Sequence, residues 1–486
     1  MTTTRRTFLE LLAASGALLG LGGCAVGRLG CEIVLENLAP AAARQPGDPP
    51  VIVIGAGVSG LAAAKALSLA GVPVIVLEAR DRLGGRTWTA DVGAAAVDLG
   101  AAWIHGEVNN PVALYMDDVG LTYTPHDPGY PFRYDGVDDE TVGDLKMGWH
   151  QANADRFGIE LPGIVDQHDD ITLAEAIEIW LDRQGYQGTP RRRTRWALEM
   201  TYAGLAAPET LQSATALVGD AGPSDGIGGG DNLPVGGYRE LVASLAEGLD
   251  VRLETPVERV TYTESAVLVE TADGELLDGS HVIVTVPSGV LKAGVIAFDP
   301  PLPEPKQTAI DRSEMANLEK VVFTFEQADW DEFAGEIGLV MEGVGPDNAF
   351  PAWFDMTDET GTPTLVCLYM SGFARALQDS DATSEQIAER ALATIEKALG
   401  RSLPSPVASA VTEWRRDPWA RGSYSMDAVG SSFDDYDALA APVGGRLLFA
   451  GEATIGLMSA TVHGALMSGY REAKRIELKS TLPGQC

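Results

Sequence analysis

The run Val51-Ile52-Val53-Ile54 ends abruptly at Gly55-Ala56-Gly57-Val58-Ser59-Gly60, and this junction limits the available folds more than any other stretch. Four consecutive β-branched residues suit a strand buried on both faces, the kind found in parallel sheets. The three glycines suit a tight turn, a close approach of backbone to a pyrophosphate, and close contact of helix with strand, with the phosphates at the N-terminus of the next helix. Leu61 to Ala70 has helical composition, and Val72 to Leu77 reads as a second buried strand ending at Glu78. A carboxylate at that place can accept hydrogen bonds from a ribose and repels a 2′-phosphate. Such a glycine pattern alone also occurs as a plain turn in unrelated α/β folds. The order strand, glycine turn, helix, strand and acid points instead to a dinucleotide site.

Two later blocks return to the same character. Val251 to Val286 is strand-rich, with alternation at Val267-Leu268-Val269-Glu270 and a turn at Asp273-Gly274. Arg446-Leu447-Leu448-Phe449-Ala450-Gly451-Glu452 is again strand then glycine, and Ala460 to Leu478 reads as a helix. The expectation is an α/β protein in which residues 50–107, 231–292 and 441–480 rebuild one Rossmann-like domain. Residues 108–230, with helical stretches at Leu173 to Arg183 and Arg191 to Ala203, and the mixed residues 293–440 would form an α+β substrate domain. Gly226 to Gly230 reads as a hinge or loop.

Composition narrows the partners. With 69 acidic against 35 basic residues the formal charge is -34, which argues against nucleic acid as a partner because phosphate binding needs a Lys/Arg surface. That charge serves solubility, and it also attracts a small cation. At the N-terminus, Thr4-Arg5-Arg6-Thr7-Phe8-Leu9 precedes an apolar run, Leu11 to Leu21, too short to span a bilayer. It resembles a twin-arginine export signal over residues 1–31, which implies an extracytoplasmic or periplasmic location; residues 32–49 then read as a linker. Leu21-Gly22-Gly23-Cys24 resembles a lipobox, so Cys24 reads equally as a lipid anchor or as part of an ordinary signal-peptide end. The four cysteines form neither a disulfide framework nor a metal cluster, and no metal is expected.

The run Glu78-Ala79-Arg80-Asp81-Arg82-Leu83-Gly84-Gly85-Arg86 adds a second glycine turn with arginines near the phosphates. It resembles the double-glycine signature of the flavin-containing amine oxidase family, which includes monoamine oxidases, polyamine oxidases and lysine-specific demethylases. Asp98-Leu99-Gly100-Ala101-Ala102-Trp103-Ile104-His105-Gly106, Asn317 to Phe323, Trp414 to Ser425, Phe449 to Thr454 and Ser459 to Leu466 resemble further segments of that family in the same order. The likeness covers nearly everything after residue 50, with little signature from about 140 to 215.

The resemblance implies FAD, held by Gly55, Gly57, Gly60, Gly85, Trp414 and Gly451 together with residues of assigned place. Ser59 and Arg86 would meet the pyrophosphate, Glu78 and Arg80 the adenosine side, and Val257 the adenine through its backbone. Ala102 and Trp103 would meet the isoalloxazine, Glu452 the ribityl region, and Thr461 with Val462 the pyrimidine edge. Ser423 stands where monoamine oxidases carry a cysteine for a thioether, so the FAD is expected to be non-covalent.

The same resemblance implies oxidation of a small amine by hydride transfer to the flavin, hydrolysis of the imine, and reoxidation by dioxygen to hydrogen peroxide. Lys320 would hold a water beside the flavin, although a lysine in a β-branched strand otherwise faces solvent on an edge. Tyr424 would form one wall of an aromatic cage for the substrate nitrogen, or else pack in the core. Thr461 takes the place of the second cage tyrosine. His105 reads a second nitrogen or simply bonds the backbone, with nothing in the sequence to separate the two. An L-amino-acid oxidase of the same fold would need an arginine for the substrate carboxylate, and Ala102-Trp103 follows Gly100-Ala101 instead. A catalytically silent flavin protein at the cell surface is the alternative from another class.

Overall fold

The computed structural model describes residues 48–126, 132–135, 140–141, 144–202, 208, 210–219, 227–330, 336–340, 350 and 352–481. Arg5-Arg6, Cys24 and nearly all of the linker lie outside these residues, as do Ala203, Gly226, Cys31 and Cys486.

Val51–Ile54 is the central strand of a five-stranded parallel sheet ordered Leu447–Phe449, His281–Val284, Val51–Ile54, Val74–Leu77, Asp250–Arg252. Covered on both faces, Val51, Ile52 and Val53 expose no surface, which is why the run needs no polar alternation. The helix after it spans Val58–Leu69, so it starts inside the glycine turn rather than at Leu61. The second strand begins at Val74, because Pro73 has no N–H to give the ladder; its carbonyl accepts from Val51 N at 2.9 Å.

The C-terminal helix Val462–Thr481 packs directly on the helix Val58–Leu69. A Cβ at Gly469 would stand 2.1 Å from the Ser59 carbonyl oxygen, so only glycine permits this approach. Beside it, the Ser59 and Ser468 hydroxyls lie 3.0 Å apart, and Ser468 Oγ accepts from Gly451 N at 2.9 Å. One residue pair thus ties the first glycine turn to the last strand.

Two further sheets frame the site. A four-stranded sheet, ordered Leu276–Gly279, Val267–Thr271, Val257–Tyr262, Ala297–Asp299, stands beside the parallel sheet and shares its core. Ala297–Asp299 pairs in parallel with Arg259–Thr261, so the chain leaves this side later than residue 292, where the sequence reading drew its boundary. Three residues carry too little periodicity to reveal a strand. Likewise Asn232–Pro234 pairs with Tyr123–Pro125, which keeps residue 231 engaged with the preceding insertion.

The larger mixed sheet has seven strands, with Leu318–Thr324 between Ala408–Val411 and Thr364–Met370. In the 144–219 region the helices Asp144–Val165, Leu173–Gln184 and Gly188–Tyr202 enclose their own core around Phe157 and Trp180. A capping box of Thr172 with Glu175 starts the second of these, and Gly185 in the left-handed region ends it. Among the described residues no helix is long and apolar enough to cross a membrane.

Candidate active site

One cavity of about 1050 Å³ runs from the end of the parallel sheet to the mixed sheet and the helical insertion. Of the site residues named from the sequence, Gly55, Gly57, Ser59, Glu78, Arg80, Gly85, Arg86, Ala102, Trp103, His105 and Val257 line it. So do Lys320, Trp414, Tyr424, Gly451, Glu452, Thr461 and Val462. Gly60 does not. A Cβ there would fall 2.0 Å from the Gly55 carbonyl oxygen and 3.0 Å from Thr285 Oγ1, so Gly60 serves the close contact of helix with strand, as the sequence reading also has it, and is not a wall of the cavity.

The glycine turn leaves room for a ligand. A Cβ on Gly57 would meet nothing nearer than the Gly84 carbonyl oxygen at 4.0 Å. The helix that starts here has no side-chain cap and no acid in its first turn, so its end N–H groups and positive dipole are left for an anion. Glu78 accepts from Ala56 N at 2.7 Å and from Arg80 N at 2.9 Å, which locks the carboxylate at the strand end and leaves lone pairs over. Arg80 in turn pairs with Asp417 at 2.5 Å, fastening this rim to the segment that carries Trp414 and Trp419.

Arg86 reaches 2.8 Å to Glu452 and also donates to the Ser423 carbonyl oxygen. Glu452 is buried, and its second oxygen accepts from Ser425 Oγ at 2.6 Å and from Ala460 N at 2.8 Å. Burial disfavours its charged form. The Arg86 guanidinium and the hydrogen bonds from Ser425, Arg86 and Ala460 outweigh that and hold its pKa below the usual carboxylate value.

Lys320 is 2% exposed, in a strand whose neighbours are all apolar except Glu319 and Thr324. Its Nζ donates to the carbonyl oxygens of Asp98 at 2.6 Å and Gly100 at 2.8 Å and stands 5.5 Å from the centroid of the Trp103 ring. Two strong acceptors make the burial tolerable. Desolvation pushes its pKa down to about 8, against the opposing charge of Asp98. Glu319, beside it, is fully buried and accepts from Thr412 Oγ1, Trp414 N and Arg415 N, so it fixes the start of the Trp414 segment.

The Tyr424 ring lines the same cavity, and burial raises the pKa of its hydroxyl far out of the physiological range. Thr461 Oγ1 donates to the Met458 carbonyl oxygen at 2.7 Å and accepts from Gly464 N at 2.9 Å, which makes it the cap of the C-terminal helix as well as a wall. His105 sits at the rim with its side chain 61% exposed, and its Nδ1 lies 3.1 Å from Asp231. Ser423 Oγ accepts from Leu318 N at 3.0 Å.

The model of the family described as "Flavin containing amine oxidoreductase" matches residues 58–477. The chain belongs to this family. It is similar to lysine-specific histone demethylase 2 of Homo sapiens, 32% identical over 88% of the chain and 53% of that protein. It is also similar to polyamine oxidase 4 of Oryza sativa subsp. japonica, 33% identical over 92% of the chain and 93% of that protein. It spans about half the length of the demethylases it matches. A solved structure of putrescine oxidase bound to putrescine superposes with a TM-score of 0.72 at 25% identity, covering 88% of this chain and 99% of that one.

Membership in the amine oxidoreductases implies a flavin, and the residues present fit one. The open glycine turn, the uncapped helix end and the locked Glu78 suit the phosphates and a ribose, and the apolar stretch past Trp103 suits a flat ring. Sequence reading missed Trp196, Gln212 and Asp427, which line the cavity and are marked only by their meeting in space. Arg82, read with the second glycine turn, does not line the cavity: it lies 4.3 Å over the Trp88 ring and donates to the Gly85 carbonyl oxygen at 2.7 Å, and burial lowers its pKa to about 10.

Proposed function

We propose that this chain is an FAD-dependent amine oxidase that binds its cofactor without a covalent bond and oxidises a primary or secondary amine. One observation carries the reading: the buried Lys320 amine and the Tyr424 ring border the same cavity as the glycine turn. Held along the glycine turn, Arg86 and Glu452, a flavin would supply the hydride acceptor for the amine and the route for electrons to dioxygen, with hydrogen peroxide as the product. The chain's own residues do the rest. Tyr424 offers a flat face to the substrate nitrogen, whose neutral form the surrounding apolar walls favour. Lys320, anchored on two carbonyls, has a proton that leaves at about pH 8, which suits it to position a water and exchange a proton with it. Ser423 carries a hydroxyl engaged with Leu318 N and has no thiol for a flavin thioether.

Anaerobic addition of spermidine, spermine, putrescine, tyramine or free amino acids to the yellow protein tests the reading. Bleaching by an amine, with peroxide release in air, is the expected result; a flavin band indifferent to every amine overturns it. The purified protein being colourless and refusing added FAD would overturn it equally.

The reading extends to place. Arg5-Arg6 ahead of Leu11 to Leu21 supports export by the twin-arginine route, with Cys24 as a lipid anchor or part of a cleaved signal end. Changing both arginines to lysine should retain the protein in the cytoplasm, and unaltered export would refute the route.

A further inference from the structure

A second, smaller cavity of about 150 Å³ adjoins the first. Ala102, Trp103 and Lys320 line both, so the Lys320 side chain stands in the partition between them. Two of its donors go to the Asp98 and Gly100 carbonyl oxygens. The remaining position on Nζ is a third N–H when the amine is charged and a lone pair when it is neutral. A group of this kind can give a proton to an adjoining water and take one back. Glu319, next to it in the strand, is turned the other way, toward Thr412 and the Trp414 segment.

The smaller cavity carries two carboxylates on its wall, Asp98 and Glu359. Asp98 is buried and fixed by Thr89 Oγ1 and Tyr238 N, and burial raises its pKa toward that of Lys320. Glu359 is the outer member, with its side chain 29% exposed, so it touches the cavity on one side and solvent on the other. His126 Nδ1 lies 3.3 Å from Glu359 Oε1, and this hydrogen bond holds the Glu359 pKa below the usual carboxylate value. The His126 ring is itself buried, 6.2 Å from Trp103 and 6.5 Å from Phe354, two walls of the same cavity. Its Nε2 is without a hydrogen-bond partner among the described residues. A buried ring nitrogen in that condition, beside a cavity with several polar groups, is what ordered water satisfies.

We propose that the smaller cavity holds a file of waters joining Lys320 to solvent at Glu359, and that it serves as a proton path separate from the entry of the substrate. Outward, an N–H bond of the charged Lys320 breaks and its proton goes to the adjoining water. A water of the file then gives one proton to Asp98 or Glu359, and the carboxyl group gives it to solvent. Inward, the same bonds form and break in reverse; no electrons move and the water is regenerated. The purpose of the path rests on the amine-oxidase reading above, since a substrate ammonium gives up one proton to react as the neutral amine and one proton is taken up as peroxide forms. Both exchanges fall while the substrate or its product fills the larger cavity.

Two measurements test it. A crystal structure fine enough to show waters should place them in the smaller cavity, one within about 3.2 Å of Lys320 Nζ; a dry cavity, or waters that stop short of Lys320, overturns the proposal whatever the flavin does. On the FAD-loaded protein without oxygen, a pH indicator in stopped flow reads the proton released as an n-alkylammonium ion binds. Ala96→Leu, which fills the cavity from its wall, and Glu359→Gln should each slow that release about 10-fold or more. Glu359→Asp should recover much of the rate, and added imidazole should restore it in Glu359→Gln but not in Ala96→Leu. Unchanged release in the folded variants overturns the proposal, as does slowing in Glu359→Gln that imidazole leaves untouched, which would mark a structural effect alone. Glu359→Gln decides if Ala96→Leu does not fold. If no amine reduces the flavin, the amine-oxidase reading fails separately, and the crystallographic waters still judge the path.

Discussion

The Arg86 guanidinium meets the Glu452 carboxylate at 2.8 Å across 366 positions of sequence. This pair joins the second glycine turn to the last strand of the parallel sheet at the floor of the cavity. Glu452→Gln leaves the partly buried guanidinium without its counter-charge, and the folded state should lose about 1–3 kcal/mol, read from urea unfolding of the flavin-free protein. Because Glu452 is held below its ordinary pKa of 4.5, its contribution is present above that value and disappears as pH falls through the lower, folded-state pKa. The variant should therefore show a shallower acid limb than the unaltered protein. Identical limbs would mean that the pair contributes nothing.

Lys320 acts in the same direction but in an alkaline window, and through a cost to its charged form rather than a gain. Its pKa of about 8 lies below the unfolded value of 10.5, so between these two the unfolded chain binds more protons and stability rises with pH. Lys320→Met should abolish that rise, measured by unfolding at pH values on either side of the window. Activity should lose its alkaline-side proton step near the same pKa. The Asp98 and Gly100 carbonyls would also lose their donor, at a cost of about 1–3 kcal/mol. A pH profile indistinguishable from that of the unaltered protein would remove Lys320 from any proton role.

Gly57 and Gly60 are expected to fail differently. Gly60→Ala drives a methyl to 2.0 Å from the Gly55 carbonyl oxygen, so folding itself should suffer, by about 1–3 kcal/mol or more. Gly57→Ala meets no atom closer than 4.0 Å and keeps ordinary backbone angles, so the protein should fold with little loss. Its methyl would instead project where the phosphates approach, and flavin retention on gel filtration should drop. Equal flavin retention by Gly57→Ala and the unaltered protein would place the phosphates elsewhere.

Ser423 offers the plainest readout. Its hydroxyl is occupied by Leu318 N, and precipitation of the protein with acid should leave all the yellow colour in the supernatant. Colour in the pellet would reveal a covalent link formed by some other residue.

How legible the site was depended on how local its chemistry is. The turn from Gly55 to Gly60 and the acid at Glu78 are set by neighbours within one strand-helix-strand unit, and their spacing carries the physics by itself. Lys320 and Glu319 are another matter. In Leu318 to Thr324 a lysine reads as facing solvent on an edge, yet Lys320 and its neighbour Glu319 are both buried, because their partners come from Asp98 and Gly100 in one case and from Thr412, Trp414 and Arg415 in the other. Resemblance to a family pointed to Lys320, and nothing pointed to Glu319. Asp427 was hidden in a different way: among 69 acidic residues no sequence pattern marks it as one that lines the cavity. The strand Ala297–Asp299 escaped for want of length, and Gly60, grouped with the cofactor residues, packs against Gly55 and Thr285 and does not line the cavity.

The contact of Ser59 with Ser468 bears on the order of events during synthesis. The glycine turn is made early, but its supporting helix and the strand Leu447–Phe449 are translated some four hundred residues afterwards. A chain still on the ribosome therefore has a half-walled cradle, and the nucleotide can be gripped firmly only after the C-terminal helix emerges. Any product cut short before that helix would be an apoprotein with an exposed sheet edge, a natural target for chaperones and proteases.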